Sequence, residues 1–104
     1  MNRLVLSAQL VERGAVRYTP AGIPACDMVL RHESLVTEAG HARKVLMDIR
    51  AVLIGDLVST LLKMEIGSPA NFAGFLANQR NGRGIVFHVT EFDRAESAAS
   101  TPSP

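Results

Sequence analysis

The sequence predicts an all-β fold, a small barrel of five strands with one short helix between the third and the fourth. Three observations predict it. Five segments alternate apolar and polar residues with a period of two, as half-buried strands do. One stretch between the third and fourth of them, DLVSTLLKM, reads as a short helix that Asp56 can cap and that ends before Gly67. Gly74 interrupts the fourth segment, and a glycine inside a strand marks a sharp bend or the close approach of another backbone. Five strands with a helix in that place is the order of an oligonucleotide-binding (OB) barrel.

The first strand runs from Asn2 to Arg13, with Leu4, Leu6, Ala8 and Leu10 on one face. GAVRYTPAGIP follows as a loop, turning at Pro20-Ala21-Gly22. The second strand, Ala25 to Leu35, puts Cys26, Met28 and Leu30 on one face and Asp27, Arg31 and Glu33 on the other. Glu38-Ala39-Gly40 turns the chain into the third strand, RKVLMDIRAVLIG. There Val45, Met47, Ile49, Ala51 and Leu53 share a face, and Lys44, Leu46, Asp48 and Arg50 share the opposite one. After the helix, Ser68-Pro69 restarts an extended chain. Asn71 to Asn78 and Ile85 to Phe92 are the fourth and fifth strands. They are joined by NQRNGRG, in which Asn81-Gly82 has the residues of a tight hairpin turn. Phe72 and Leu76 flank Gly74 on one face and are assigned to the core, as is Phe87. After Arg94 the chain becomes AESAASTPSP, small and polar, so a domain over 1–94 and a disordered tail over 95–104 are expected.

A chain of 104 residues with 47% apolar content has room for one small globular domain. Its net charge of +1 excludes a general polycation but leaves room for a local basic patch. Nine of the eleven basic residues are Arg, the side chain that grips phosphate in a bidentate manner, although solvated salt bridges use it too. Cys26 is the single cysteine, which excludes an internal disulfide and suits a reducing, cytoplasmic location. MNRLVLSAQLVER lacks the uninterrupted apolar core of a signal peptide, and AVLIGDLVSTLLKM carries Asp56 and is too short to span a bilayer, so no membrane association is expected. His32, His41 and His88 are far apart without metal-ligand spacing, and no phosphate-binding glycine loop occurs. No catalytic residue, metal or cofactor is expected.

Binding of single-stranded nucleic acid needs a positive track and flat groups on which bases stack. Arg17 in the first loop, Arg43, Lys44 and Arg50 on the third strand, and Arg80 and Arg83 on the hairpin fall on the elements that form the ligand surface of an OB barrel. Stacking groups are scarce: there is no Trp, Phe72 and Phe87 belong to the core, and Tyr18 and Phe75 are taken as the candidates. Binding would lean on phosphates and fall steeply with salt.

NRLVLS, TPAGIPACDMVLRH, the turn EAG and the NG hairpin together resemble the PriB family, that of primosomal replication protein N. The resemblance runs from about Asn2 to Arg94, and GIP followed by an extended V-L-x-H is its most specific part. It implies an OB-fold homodimer that binds single-stranded DNA during restart of stalled replication forks. Such a protein bridges the restart helicase and the protein that delivers the next loading factors. Family contacts carry over onto Arg17, Arg43 and Arg80. Two positions depart from the family: Leu46 stands where well-known members carry Trp, and Glu33 where they carry a basic residue, with Arg31 two residues earlier on the same face. The hairpin is also shorter and has Arg in place of several Lys. The expected DNA-binding set is Arg17, Arg31, Arg43, Lys44, Arg50, Arg80 and Arg83 on phosphates, with Leu46 as an apolar platform for a base. The alternative is an OB-fold adaptor of the helicase with only weak residual DNA binding, and a general strand-coating protein ranks last.

Overall fold

The computed structural model describes residues 1–80 and 82–94. Asn81 of the hairpin turn and the tail 95–104 lie outside the described residues. The elements are β1 (Leu4–Arg13), β2 (Arg17–Tyr18), β3 (Pro24–Glu38), β4 (His41–Ile54), α1 (Leu57–Leu61), β5 (Pro69–Asn78) and β6 (Ile85–Arg94). Strand order is β1-β5-β6-β4-β3-β2, and an additional β1–β3 pairing closes β1, β5, β6, β4 and β3 into a five-stranded ring. The ring is the expected OB barrel. Its β4–β6 contact is parallel, Ala51 to Leu53 beside Phe87 to Val89.

Alternation fills this barrel as the sequence implies. Leu6, Ala8 and Leu10 of β1, Cys26, Met28 and Leu30 of β3, Ala51 and Leu53 of β4, Phe72 of β5 and Phe87 of β6 are all buried. Val58 and Leu61 of α1 add their side chains to the same core. Each of the Leu, Met, Val and Phe side chains contributes roughly 1.5–3 kcal/mol by leaving water. Cys26 is buried and its thiol sits above its ordinary pKa because burial disfavours the thiolate.

Several elements differ from the expected ones. The predicted first loop contains β2, whose two residues pair Arg17 with Ala25 and Tyr18 with Pro24. The second and third strands are longer than expected. Ala39 (φ 54°) and Gly40 (φ 81°) make a two-residue turn that keeps Glu38 opposite His41. The two strands therefore stay paired out to the tip of an arm whose outer residues Leu35, Val36, Leu46 and Met47 are exposed. Asp56 does not cap α1 with its side chain. It already has helical angles (φ −65°, ψ −26°), so Val58 N–H donates to the Gly55 carbonyl instead. Leu76 is exposed rather than in the core. β1 begins pairing with β5 at Leu4 opposite Gly74, and beyond that point only the Asn2 side chain meets the Leu76 backbone. Arg13, clustered in sequence with Arg17, donates to the Leu61 and Met64 carbonyls at the end of α1.

Gly74 is where the barrel is tightest. An added Cβ would lie 1.8 Å from the His88 carbonyl oxygen. The β5–β6 register shifts there, with Ala73 opposite Glu91 and Gly74 opposite Val89. Gly74→Ala is expected to lower the thermal midpoint by roughly 10–20 °C, since a backbone oxygen cannot step aside as a side chain can. Circular dichroism melting checks this, and an unchanged midpoint would show that the strands separate at no cost.

Candidate nucleic-acid interface

The outward face of β3 and β4 is built from directly opposed pairs: Asp27 with Val52, Val29 with Arg50, Arg31 with Asp48, Glu33 with Leu46, and Leu35 with Lys44. Opposed residues share a face, and neighbouring rows follow every second residue. Arg31, Lys44, Leu46 and Arg50 therefore come together as expected. Leu46 is 61% exposed and stands among them as an apolar platform. Arg43 lies opposite Val36, one residue out of phase, and projects from the other face of the arm near its tip.

The cations are not bare. Arg31 Nε and Nη2 donate to the two Asp48 carboxylate oxygens at 2.8 and 3.1 Å. Arg17 Nε and Nη2 grip Asp27 in the same bidentate manner at 3.0 Å. Lys44 meets Glu33 at 3.0 Å and Arg43 meets Glu38 at 3.2 Å. Arg31 holds the Asp48 carboxyl below the ordinary carboxylate range by hydrogen bonding, and Asp27 raises the Arg17 guanidinium by the same means. Arg31 thus does not make good the acidic Glu33, because Asp48 neutralises Arg31 and Lys44 neutralises Glu33. Among the described residues no carboxylate is within ion-pair distance of Arg50 or Arg80. Arg83 is exposed on the hairpin.

Beside this face the β5–β6 hairpin and β2 border a groove of about 240 Å³. Arg17, Asp27, Val52, Asn78, Arg80, Val86 and His88 line it, so Arg17 and Arg80 meet across a common floor. A neighbouring groove of about 430 Å³ runs past Asp27, Val29, Arg50, Gln79 and Val86. Phe75 stacks flat on His88, ring centroids 4.8 Å apart and planes 4° from parallel. Tyr18 turns elsewhere, lining a different groove with Val16, Val58 and Leu62 of the α1 side. Sequence reasoning named Phe75 but passed over His88. Counting outward from the hairpin turn, Asn78 opposite Ile85 makes Phe75 opposite His88, and that register was the available signal.

A family model described as another single-strand binding protein family matches residues 2–91. The replication restart protein PriB of Bordetella pertussis is 50% identical over 80 residues, 77% of this chain and 75% of that protein. The chain belongs to the PriB family of replication restart proteins. PriB of Photorhabdus laumondii is 31% identical over 100 residues, 92% of this chain and 95% of its own. Among solved structures, PriB from Ralstonia solanacearum superimposes with a TM-score of 0.82 at 38% identity, covering 90% of this chain and 97% of that one. The single-stranded DNA binding protein of Thermus aquaticus shares the fold, with a TM-score of 0.74 at 24% identity over 95% of this chain and 52% of that one. These are families of non-enzymatic DNA-binding proteins. Among the described residues of this PriB-family chain, no helix is long and apolar enough to cross a membrane.

Asp48→Asn removes the carboxylate from Arg31 while keeping its shape. It is expected to tighten binding of an oligo-dT strand about threefold at low salt, the size of one charge acting through water at short range. Fluorescence anisotropy reads this directly, and weaker binding by the variant would mean that Asp48 positions Arg31 rather than competes for it.

Proposed function

We propose that this chain is a single-stranded DNA-binding accessory protein of the replication-restart primosome. Residues 1–94 form the working unit, and it acts in the cytoplasm as a homodimer. It holds the strand along the outward face of β3 and β4 and brings it to the restart helicase and the protein that delivers the next loading factors. The observation that carries this reading is the convergence of Arg31, Lys44 and Arg50 on one face of an OB barrel, with Arg17 and Arg80 across the adjoining groove. Phosphates would bind by displacing the carboxylate partners, which is feasible because solvent-exposed ion pairs are weak. Arg83, on the hairpin, would serve a longer strand, and Arg43 would meet one that wraps over the tip of the arm to its other face. Arg50→Ala, which removes a cation without a carboxylate partner, is expected to weaken oligo-dT binding and to flatten the salt dependence by roughly 0.7 in log–log slope, one phosphate on a single strand. An unchanged slope would take Arg50 out of the interface.

A second reading has its own support. Arg17, Arg31, Arg43 and Lys44 are each matched by a carboxylate, and Leu46 offers no aromatic surface. That composition suits an adaptor whose main partner is the helicase, with DNA binding residual. Tight helicase binding that survives loss of Lys44 and Arg50 would favour it.

The route to a dimer is the edge of β1. Leu6 and Leu10, on the apolar face of β1, are core residues and do not offer a dimer surface. Among the described residues the backbone edge itself is nonetheless open. β1 pairs with β5 from Leu4 to Gln9, but with β3 only from Gln9 onward, and His32 Nδ1 lies 2.7 Å from the Ser7 carbonyl on the vacant side. An unpaired edge of this kind is a template for a second strand. Light scattering at micromolar concentration should return twice the chain mass of 11.2 kDa, and a monomer would count against the proposal.

A further inference from the structure

Reading the strands transversely reveals a row that no single stretch of sequence displays. Arg17 grips Asp27, Asp27 lies opposite Val52, Val52 opposite His88, and His88 opposite Phe75. All lie on the outward side of the sheet, with Val52 buried beneath its neighbours. Arg17, Asp27, Val52 and His88 line the 240 Å³ groove, and Phe75 lies behind His88, outside it.

The chemistry of this groove is that of a nucleotide. Its floor is apolar at Val52 and Val86. His88 presents an imidazole whose second face is already backed by the Phe75 ring. A backed ring is a fixed platform, so a base can stack on it without freezing a loose side chain. Asn78 and Gln79 place amide donors and acceptors at the hairpin side, suited to the polar edge of a base. Arg80 stands at that rim with no carboxylate partner among the described residues. At the other rim Arg17 spends Nε and Nη2 on Asp27 and keeps Nη1 for an outside acceptor. Among the described residues Asp27 is the one adverse charge in the groove, and its carboxylate is occupied by Arg17.

We infer that one nucleotide of the bound strand seats in this groove, its base against Val52 and the His88–Phe75 stack and its flanking phosphates on Arg17 and Arg80. This rests on the reading of the chain as a single-strand binder and adds where a base is gripped. The aromatic platform that Leu46 cannot provide on the arm is supplied at the waist. The strand is therefore held by one stacking contact there and by phosphate contacts along β3 and β4.

The test is photocrosslinking of the full-length protein to oligo-dT carrying 5-iododeoxyuridine, at low salt, with the attached peptide identified by mass spectrometry. The base is expected to attach at His88. His88→Leu, which keeps a side chain in the strand but removes the platform, is expected to lose about tenfold in affinity, the scale of one stacked base. Binding of the oligomer with attachment confined to Leu46 and Met47 of the arm, or unchanged affinity of His88→Leu, would overturn the waist subsite and leave strand binding standing. Failure of the wild-type protein to bind the oligomer at all would overturn both. A competing aromatic peptide, rather than DNA, protecting Phe75 and His88 from modification would assign the groove to a protein partner and contradict the inference.

Discussion

The close approach of Gly74 to the His88 carbonyl is the constraint on which the rest of the barrel turns. Only a residue without a Cβ lets β5 lie that near β6, and the two strands answer by shifting register, with Thr90 as the extra residue. A bulge of this kind bends and twists its strand. The bend carries β6 across to β4, where Phe87 and Val89 turn inward and the parallel contact closes the ring. The same approach sets Phe75 face to face with His88 on the outside. Closure of the core and the flat group on the surface thus come from one glycine.

Electrostatics then decides how the outer surface behaves. A chain with a net charge of +1 cannot hold a strong positive field everywhere. Here the cations of the candidate interface are spread over the outward face of β3 and β4 and its border, with Arg43 on the other face of the arm, and most are matched by a carboxylate beside them. Bidentate pairing fixes the guanidinium planes of Arg17 and Arg31 at known places. For the proposed function this is a surface of moderate attraction. Its cations are positioned in advance, exchange one anionic partner for another, and release a strand when salt or a competing partner intervenes. Such exchange suits a protein that passes DNA on rather than one that stores it.

Most of the fold was legible because alternation is a local signal. Period alone puts Leu6, Cys26, Met28 and Leu53 on apolar strand faces and Phe72 in the core, and each is buried. The misplaced features all depended on what lies next to a residue in space. Leu76 has the same phase as Phe72 but no β1 neighbour to cover it. Asp56 is a good capping residue, yet the chain leaving β4 through Gly55 is already helical when it reaches it. In the candidate interface the cations could be read from the sequence, and the carboxylates that pair with them could not. Asp48 and Glu33 become partners of Arg31 and Lys44 only when the β3–β4 register is known, and a shift of one residue would have turned them to the other face.

The central claim is that the outward face of β3 and β4 holds a single strand mainly through its phosphates. The measurement that bears on it most directly is the affinity of the wild-type protein for a fluorescent oligo-dT across a salt series. The account predicts binding at low salt that weakens on a log–log slope of roughly −2 to −4, the release of counterions from about three to five phosphates. Binding that ignores salt, or none at low salt, would contradict it and leave the barrel as a platform for proteins alone.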